Sequence, residues 1–408
     1  MICRCKWTIL FLNALYVKAF LLSQNYFCFH INLVNMNPGV SIVSCIDYSA
    51  AKEGVKEAIQ LIGGLCPIVS EGDRVLLKPN VLGARRPDEA VTTNPSIIAA
   101  MCELVKDVGG IPVIGDAAGM IHQGATAEAF RVSGIESVAK EYGAELVNFQ
   151  TGGYAEVDVP NASYFPRIFV SNSVLEADVI ISLPKLKTHE LTYYTGAVKN
   201  MFGALPLKTR KEMHLLAERE KFGEAVIDLY SVAKPHLAVM DGVVGMEGNG
   251  PSHGSPVETG VIMASYDSVS LDVVASQLIG FETLSIPTTK SALERGYGSS
   301  SPEIVGLALD SVKLKYKAST GSIISRAPPA ITRVFGKYFT IIPRIDDSKC
   351  TQCSACFRNC SAHAIEKVDD AFKVNSNKCI LCYCCRELCP ENAVGIEKSL
   401  LAKIITRK

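Results

Sequence analysis

Two runs of cysteine constrain this chain more than any other feature. Cys350, Cys353, Cys356 and Cys360 read C-x2-C-x2-C-x3-C, and Cys379, Cys382, Cys385 and Cys389 repeat that spacing 29 residues later. Two intervening residues let three thiolates point inward from one tight loop while a more distant fourth closes a cube, and no other side chain does this as well. The run is the ligand spacing of iron–sulfur clusters in which the fourth cysteine of each run serves the other cluster. On that rule one [4Fe–4S] cluster takes Cys350, Cys353, Cys356 and Cys389, and a second takes Cys379, Cys382, Cys385 and Cys360. The repeat extends beyond the cysteines, since Cys360-Ser-Ala-His-Ala-Ile365 aligns with Cys389-Pro-Glu-Asn-Ala-Val394, and a half-domain is therefore duplicated.

Zinc and disulfides are the competing uses of so many cysteines. A structural zinc site wants two pairs with a longer gap between them, and a disulfide framework wants a secreted context. The ninth cysteine of the stretch, Cys384, has no counterpart in the repeat and is expected to be a packed free thiol. Residues 346 to 398 resemble the bacterial two-cluster ferredoxins. Those proteins usually carry proline after each fourth cysteine, which holds at Cys389-Pro390 but not at Cys360-Ser361. Serine there restores a backbone donor and loosens the turn, without touching the ligand set.

At 408 residues the chain is too long for one such module, and length suggests two or three domains. The expected division is a hydrophobic extension at 1–36, an α/β domain at 37–320, a linker at 321–345, the two-cluster module at 346–398 and a basic tail at 399–408. With 41 basic and 41 acidic residues there is no field to attract nucleic acid, and none is expected as a partner. The apolar run from Trp7 to Leu22 is interrupted by Asn13 and Lys18 and falls short of a membrane span. It is read as a misassigned start ahead of Met36, with a weak anchor or signal peptide as alternatives. A membrane partner is therefore not expected, and thiolate-bound clusters suit a reducing, anaerobic cytoplasm.

From residue 40 to about 315, short β-branched runs alternate with longer helical periods, which predicts an α/β fold with a mostly parallel sheet and flanking helices. In such sheets ligands bind beyond the carboxyl ends of the strands. Five polar stretches fall there: Lys78-Pro-Asn80, Gly115-Asp116, Leu183-Pro-Lys185-Leu-Lys187-Thr-His189, Gly196-Ala-Val-Lys199-Asn200 and the glycine-rich turn from Asp241 to Gly250. Lys78, Lys185, Lys187 and Lys199 are expected to converge as a cationic pocket for a phosphate or carboxylate, with His189 as proton donor and Asn80, Asp116, Asn200 and Asp241 organising turns or ligand. Asp241, Glu247 and His253 are the alternative, as a hard-cation site. Fingerprints of nicotinamide, P-loop and zinc-peptidase chemistry are missing from the sequence.

The same five stretches resemble the conserved blocks of the domain-of-unknown-function family 362, over residues 40 to 315. That resemblance implies a carboxyl-terminal two-cluster ferredoxin module, as here, but no established reaction. The expected function is an iron–sulfur redox protein, with an oxidoreductase as the corresponding enzyme class. Its two [4Fe–4S] clusters would exchange electrons with a small anionic substrate or a redox partner protein at the α/β domain. The alternatives are a non-enzymatic electron carrier whose α/β domain docks a protein, and a chain whose clusters are structural.

Overall fold

The structure is a computed structural model that describes residues 39–119, 124–319 and 341–398. The expected amino-terminal extension, most of the linker and the basic tail lie outside those residues.

The large domain is built on one sheet whose strands, in chain order, are β1 (Val40–Ser44), β2 (Arg74–Pro79), β3 (Ile111–Asp116), β4 (Glu145–Asn148), β7 (Val179–Leu183), β10 (Leu237–Glu247), β11 (Ser255–Ser265) and β12 (Ile304–Gly306). Two shorter strands, β8 (Lys185–His189) and β9 (Tyr193–Tyr194), attach at β10, and a separate hairpin joins β5 (Tyr154–Asp158) to β6 (Arg167–Ser171). Across the sheet the order is β12-β1-β11-β10-β7-β2-β3-β4. Parallel pairing runs unbroken from β10 through β7, β2 and β3 to β4, while β11 is antiparallel to both β1 and β10. The expected α/β fold with a mostly parallel sheet is therefore what the chain adopts.

Local chemistry explains the elements. Val75, Leu76 and Leu77 are buried on both faces of β2, as a strand covered by helices on either side requires. The helix Pro95–Asp107 starts where the Asn94 side chain accepts from the Ser96 amide at 3.0 Å, with proline at its first position, and stops short of Gly109-Gly110. From β2 the chain moves outward to β3 and β4, then returns to lay β7 on the other side of β2. This reversal opens a crevice at the carboxyl ends of β2 and β7, where ligands of open α/β sheets bind.

Two stretches read as turns are strands instead. The stretch from Asp241 to Glu247 continues β10, and Lys185–His189 is β8. The glycines hid the alternation, and they are needed for close approach: a Cβ at Gly245 would strike the Leu186 carbonyl and the Tyr316 hydroxyl. Only beyond Glu247 does the chain turn, through Gly248 to Gly254.

The carboxyl-terminal module contains β13 (Ile341–Ile345), β14 (Ile365–Val368), β15 (Ala371–Val374) and β16 (Val394–Lys398). β13 pairs antiparallel with β16, so residues 341–345, expected as the end of the linker, are a strand of the module. The duplication is visible in the backbone. Short helices at Ala355–Asn359 and Cys384–Glu387 begin 29 residues apart, and left-handed residues pair up at the same offset, Gln352 with Leu381 and Ser354 with Tyr383. The amides of Ala364 and Ala393 donate to Cys360 Sγ at 3.1 Å and Cys389 Sγ at 3.2 Å.

Asp272, buried in the helix Ser268–Leu278, fixes the position of the helix Gly196–Asn200. Its carboxylate accepts from the Ala197 amide at 2.6 Å, the Val198 amide at 3.0 Å and the Tyr194 hydroxyl at 3.1 Å. Replacing Asp272 by alanine strands these donors in the core, and a loss of about 2–4 kcal/mol is expected in denaturant unfolding. An unchanged midpoint would show that the contacts carry no net stability.

Candidate functional site

The carboxyl edge of the parallel strands holds buried charge. Lys78, near the end of β2, is fully buried, and its ammonium donates to Asp116 Oδ1 at 2.8 Å and to the Pro79 carbonyl at 3.2 Å. Asp116 also accepts from the Ala117 and Val81 amides, each at 2.8 Å. Burial lowers the Lys78 ammonium from its usual pKa, and the Asp116 carboxylate opposes that shift. Gly203 permits the pair, because a Cβ there would run into both Asp116 and Lys78 Nζ.

A cavity of about 120 Å³ opens beside this pair, between the α/β domain and the module. Lys78, Asn80, Asp116, Lys199 and Asn200 line it from the sheet side, and Asn359, Ser361, Cys384 and Leu388 from the module side. Asn200 donates to the Lys78 carbonyl at 3.0 Å and to Ser182 Oγ at 3.1 Å, and accepts from Asn80 Nδ2 at 3.1 Å. Lys199 Nζ lies 5.2 Å from the centroid of the Phe202 ring and has neither a hydrogen bond nor an ion pair among the described residues. Burial lowers its pKa, with Glu387 acting in the other direction.

The sequence did not single out Arg210 and His214, on the helix Leu207–Leu215, which complete the wall. Arg210 donates to the Leu205 carbonyl at 2.9 Å and the Gly203 carbonyl at 2.6 Å. Burial holds His214 down at about 4, so it is neutral at physiological pH. That helix has no clear apolar stripe, and only its single-residue spacing of basic side chains could have drawn notice.

The four lysines do not form one pocket. Lys185 and Asp241 face each other in the register of β8 and β10, bonded at 2.9 Å, and Tyr48 and the Asn94 amide complete the group. Neither lines the cavity, because their charges are spent on each other inside the sheet. Lys187 donates to the Val91 carbonyl at 2.7 Å and stands behind the cavity wall. His189 Nδ1 accepts from the Leu191 and Thr192 amides at 3.0 and 3.3 Å, so Nε2 carries the proton and faces a Glu387 oxygen at 3.6 Å. Burial, with Lys199 and Lys187 adding to it, keeps His189 far below its usual pKa and neutral. The alternative cation ligands also separate: Glu247 pairs with Lys317 at 3.1 Å and His253 Nε2 bonds the Arg386 carbonyl at 2.9 Å.

The module is docked by polar contacts around that edge. Arg386 pairs with the buried Glu190, Ser252 donates to the Glu387 carbonyl at 3.0 Å, and Lys211 to the Arg358 carbonyl at 3.1 Å. Within the module, Cys350, Cys353, Cys356 and Cys389 surround one small cavity, and Cys360, Cys379, Cys382 and Cys385 a second. The second quartet includes the immediate sequence neighbour of Cys384, which lines the interdomain cavity.

Comparison with known proteins bears on this arrangement. A family model for the domain of unknown function DUF362 matches residues 75–277. The thylakoid-associated protein sll1697 of Synechocystis sp. is 33% identical over 273 residues, covering 66% of this chain and 83% of that protein. The chain belongs to the DUF362 family. A 4Fe-4S dicluster domain model matches residues 342–390. The pyruvate synthase subunit PorD of Methanocaldococcus jannaschii is 31% identical over 74 residues, 18% of this chain and 86% of that subunit. This DUF362 protein thus ends in a 4Fe–4S ferredoxin domain, which carries at least one such cluster and serves iron–sulfur electron transfer. A lactate racemase apoprotein from Thermoanaerobacterium thermosaccharolyticum superimposes with a TM-score of 0.40 at 12% identity, over 62% of this chain and 60% of that one, a likeness too slight to carry an argument. Among the described residues, no helix is long and apolar enough to cross a membrane.

Lys187 gives this DUF362 protein a testable pH signature. Burial first, and then Lys199, bring its pKa from 10.5 to about 7. Between those values the unfolded chain binds the proton that the folded chain releases, so this group's contribution to stability rises with pH across that window, and its full penalty stands below about 7. Lys187→Met is expected to raise the melting temperature relative to the parent most at pH 6, the advantage shrinking toward pH 10 by at most about 1.4 kcal/mol per pH unit. A difference independent of pH would contradict the assignment.

Proposed function

We propose that this DUF362 protein is a redox protein that passes electrons between two [4Fe–4S] clusters and a small anionic ligand held in the cavity between the α/β domain and the module. The observation that carries this reading is the position of the cavity. One wall is the cationic carboxyl edge of β2 and β3 with Lys199, and the opposite wall is the Cys384 segment, which lies between Cys382 and Cys385. A ligand seated there is a neighbour of the inner cysteine quartet.

The residues present fit two clusters. Each small cavity is lined by three cysteines of one run and the fourth of the other, as the spacing rule requires. Cys350, Cys353, Cys356 and Cys389 would hold the outer cluster, and Cys379, Cys382, Cys385 and Cys360 the inner one. When bound, such clusters supply one-electron chemistry at potentials set by burial and by hydrogen bonds to sulfur. The chain's own contribution is the paired amides of Ala364 and Ala393 on Cys360 and Cys389, and an electropositive, partly dehydrated cavity beyond them.

Exposure gives the module a direction. Cys353 is exposed, and Cys384 beside the other quartet lines the interdomain cavity, so a redox partner protein would meet the outer cluster at Cys353 and the ligand the inner one. Anaerobically purified protein is expected to contain about eight irons, and Cys356→Ala about four, with a reduced spin-resonance signal that no longer shows coupling between two centres. About four irons in the parent protein would sink the two-cluster assignment. Clusters that resist reversible reduction would sink electron transfer in favour of a structural role.

A further inference from the structure

The wall of the interdomain cavity narrows the class of ligand, on the reading that the cavity is the site served by the inner cluster. Three groups on the wall lack what their chemistry demands. Lys199 has no hydrogen bond or close ion pair among the described residues, the Glu387 carboxylate acting on it only from a distance. Thr195 is 3% exposed, and its hydroxyl is buried without a partner. Asn80 Oδ1 is likewise unpartnered. The orientation of the Asn80 amide follows from its neighbours: Asn200 uses its Nδ2 on Lys78 and Ser182, so its Oδ1 accepts from Asn80 Nδ2, and Asn80 is left with a free acceptor. An anionic or accepting group satisfies Lys199 and Thr195, which stand one helical turn apart, whereas only a hydroxyl or N–H satisfies Asn80.

The rest of the wall is carbon. Val81, Leu82, Phe202, Leu207 and Leu388 supply it. Lys78 is paired with Asp116, and Arg210 and Lys211 spend donors on backbone carbonyls, so Lys199 is the wall cation with neither a hydrogen bond nor a close ion pair among the described residues, beside an apolar lining. A cavity of about 150 Å³ accepts a benzene-sized molecule, so about 120 Å³ encloses roughly five non-hydrogen atoms, the remainder of a ligand reaching toward the open side. An inorganic oxyanion such as phosphate could offer a P–OH to Asn80 but has no carbon body for the apolar wall.

We infer that the cavity binds a small hydroxylated monocarboxylate, with its carboxylate on Lys199 and Thr195, its hydroxyl donating to Asn80 Oδ1, and its carbon body against Phe202, Leu82 and Leu388. Ser361, which stands where proline is usual, and Cys384, the extra cysteine, close the cavity over this ligand from the cluster side together with Asn359 and Leu388.

The test is calorimetric titration of the anaerobically purified, cluster-loaded protein with 3-hydroxybutyrate, butyrate, inorganic phosphate and ADP. 3-Hydroxybutyrate is expected to bind at least tenfold more tightly than butyrate, with phosphate and ADP weaker still. Thr195→Val, which keeps the side-chain shape, and Lys199→Met are each expected to weaken 3-hydroxybutyrate at least tenfold. Asn80→Leu is expected to erase its advantage over butyrate. Circular dichroism confirms that each variant is folded, and Thr195→Val decides the matter if Asn80→Leu is not. Equal binding of butyrate and 3-hydroxybutyrate, preference for phosphate or ADP, or no binding of any probe overturns the inference. The spin-resonance spectrum of the reduced protein separates the two proposals. If 3-hydroxybutyrate binds as expected but leaves the spectrum unchanged, the ligand class stands and the electron-transfer reading falls.

Discussion

An ammonium group taken out of water either meets a carboxylate at close range or gives up its proton more readily, since the effective penalty for an unpaired buried ion is several kcal/mol. Lys78 and Lys185 are both fully buried at the carboxyl edge of the sheet, and each has its carboxylate, Asp116 and Asp241. Each pair ties two strands, and each reaches further into backbone amides and hydroxyls. These two pairs set the floor of the crevice that the strand order opens. Because they are neutralised internally, the lysine that remains without a hydrogen bond or close ion pair among the described residues is Lys199, which rides on a short helix held in place by Asp272.

The ferredoxin domain closes the crevice through an asymmetric use of a symmetric object. Its two halves superimpose in cysteine spacing, in short helices and in left-handed backbone positions at a constant offset of 29 residues. Symmetry breaks at Ser361, which occupies the place of Pro390, and at Cys384, which occupies the place of Ala355. Both line the interdomain cavity. Their counterparts Pro390 and Ala355 do not line it. Each half contributes one of these departures, Ser361 from the first and Cys384 from the second, to the face that meets the α/β domain.

Much of this was legible in the cysteines and in the strand periodicity. The spacing carried the two quartets, and the alternation of β-branched runs with helical periods carried the mostly parallel α/β sheet. What failed did so for identifiable reasons. Glycines that allow β8 to approach β10 interrupt the alternation of apolar residues, so the Asp241 to Glu247 stretch reads as a turn although it is strand. Position after a strand locates the correct edge of the sheet, but it cannot tell a lysine that lines a cavity from one that faces a carboxylate across a strand pair, and Lys185 and Lys199 are alike in sequence context. Arg210 and His214 come from a helix with no motif, Glu387 is an unremarkable spacer inside the second cysteine run, and the docking of the module brings that helix and that run together.

That docking decides how Cys384 should be regarded. As a sequence position it is a thiol without a partner in the repeat, and a packed free cysteine is its ordinary fate. In the folded chain it is the module's contribution to the cavity, on the short helix that also carries Cys385, Arg386 and Glu387. Arg386 on that helix is held by Glu190, next to His189 at the end of β8, so the position of Cys384 is set from the α/β side as well as from its own fold. A module that merely carried electrons past the large domain would need no such registration. Polar anchoring at several points is the arrangement expected when the separation between a cluster and a bound group has to stay fixed.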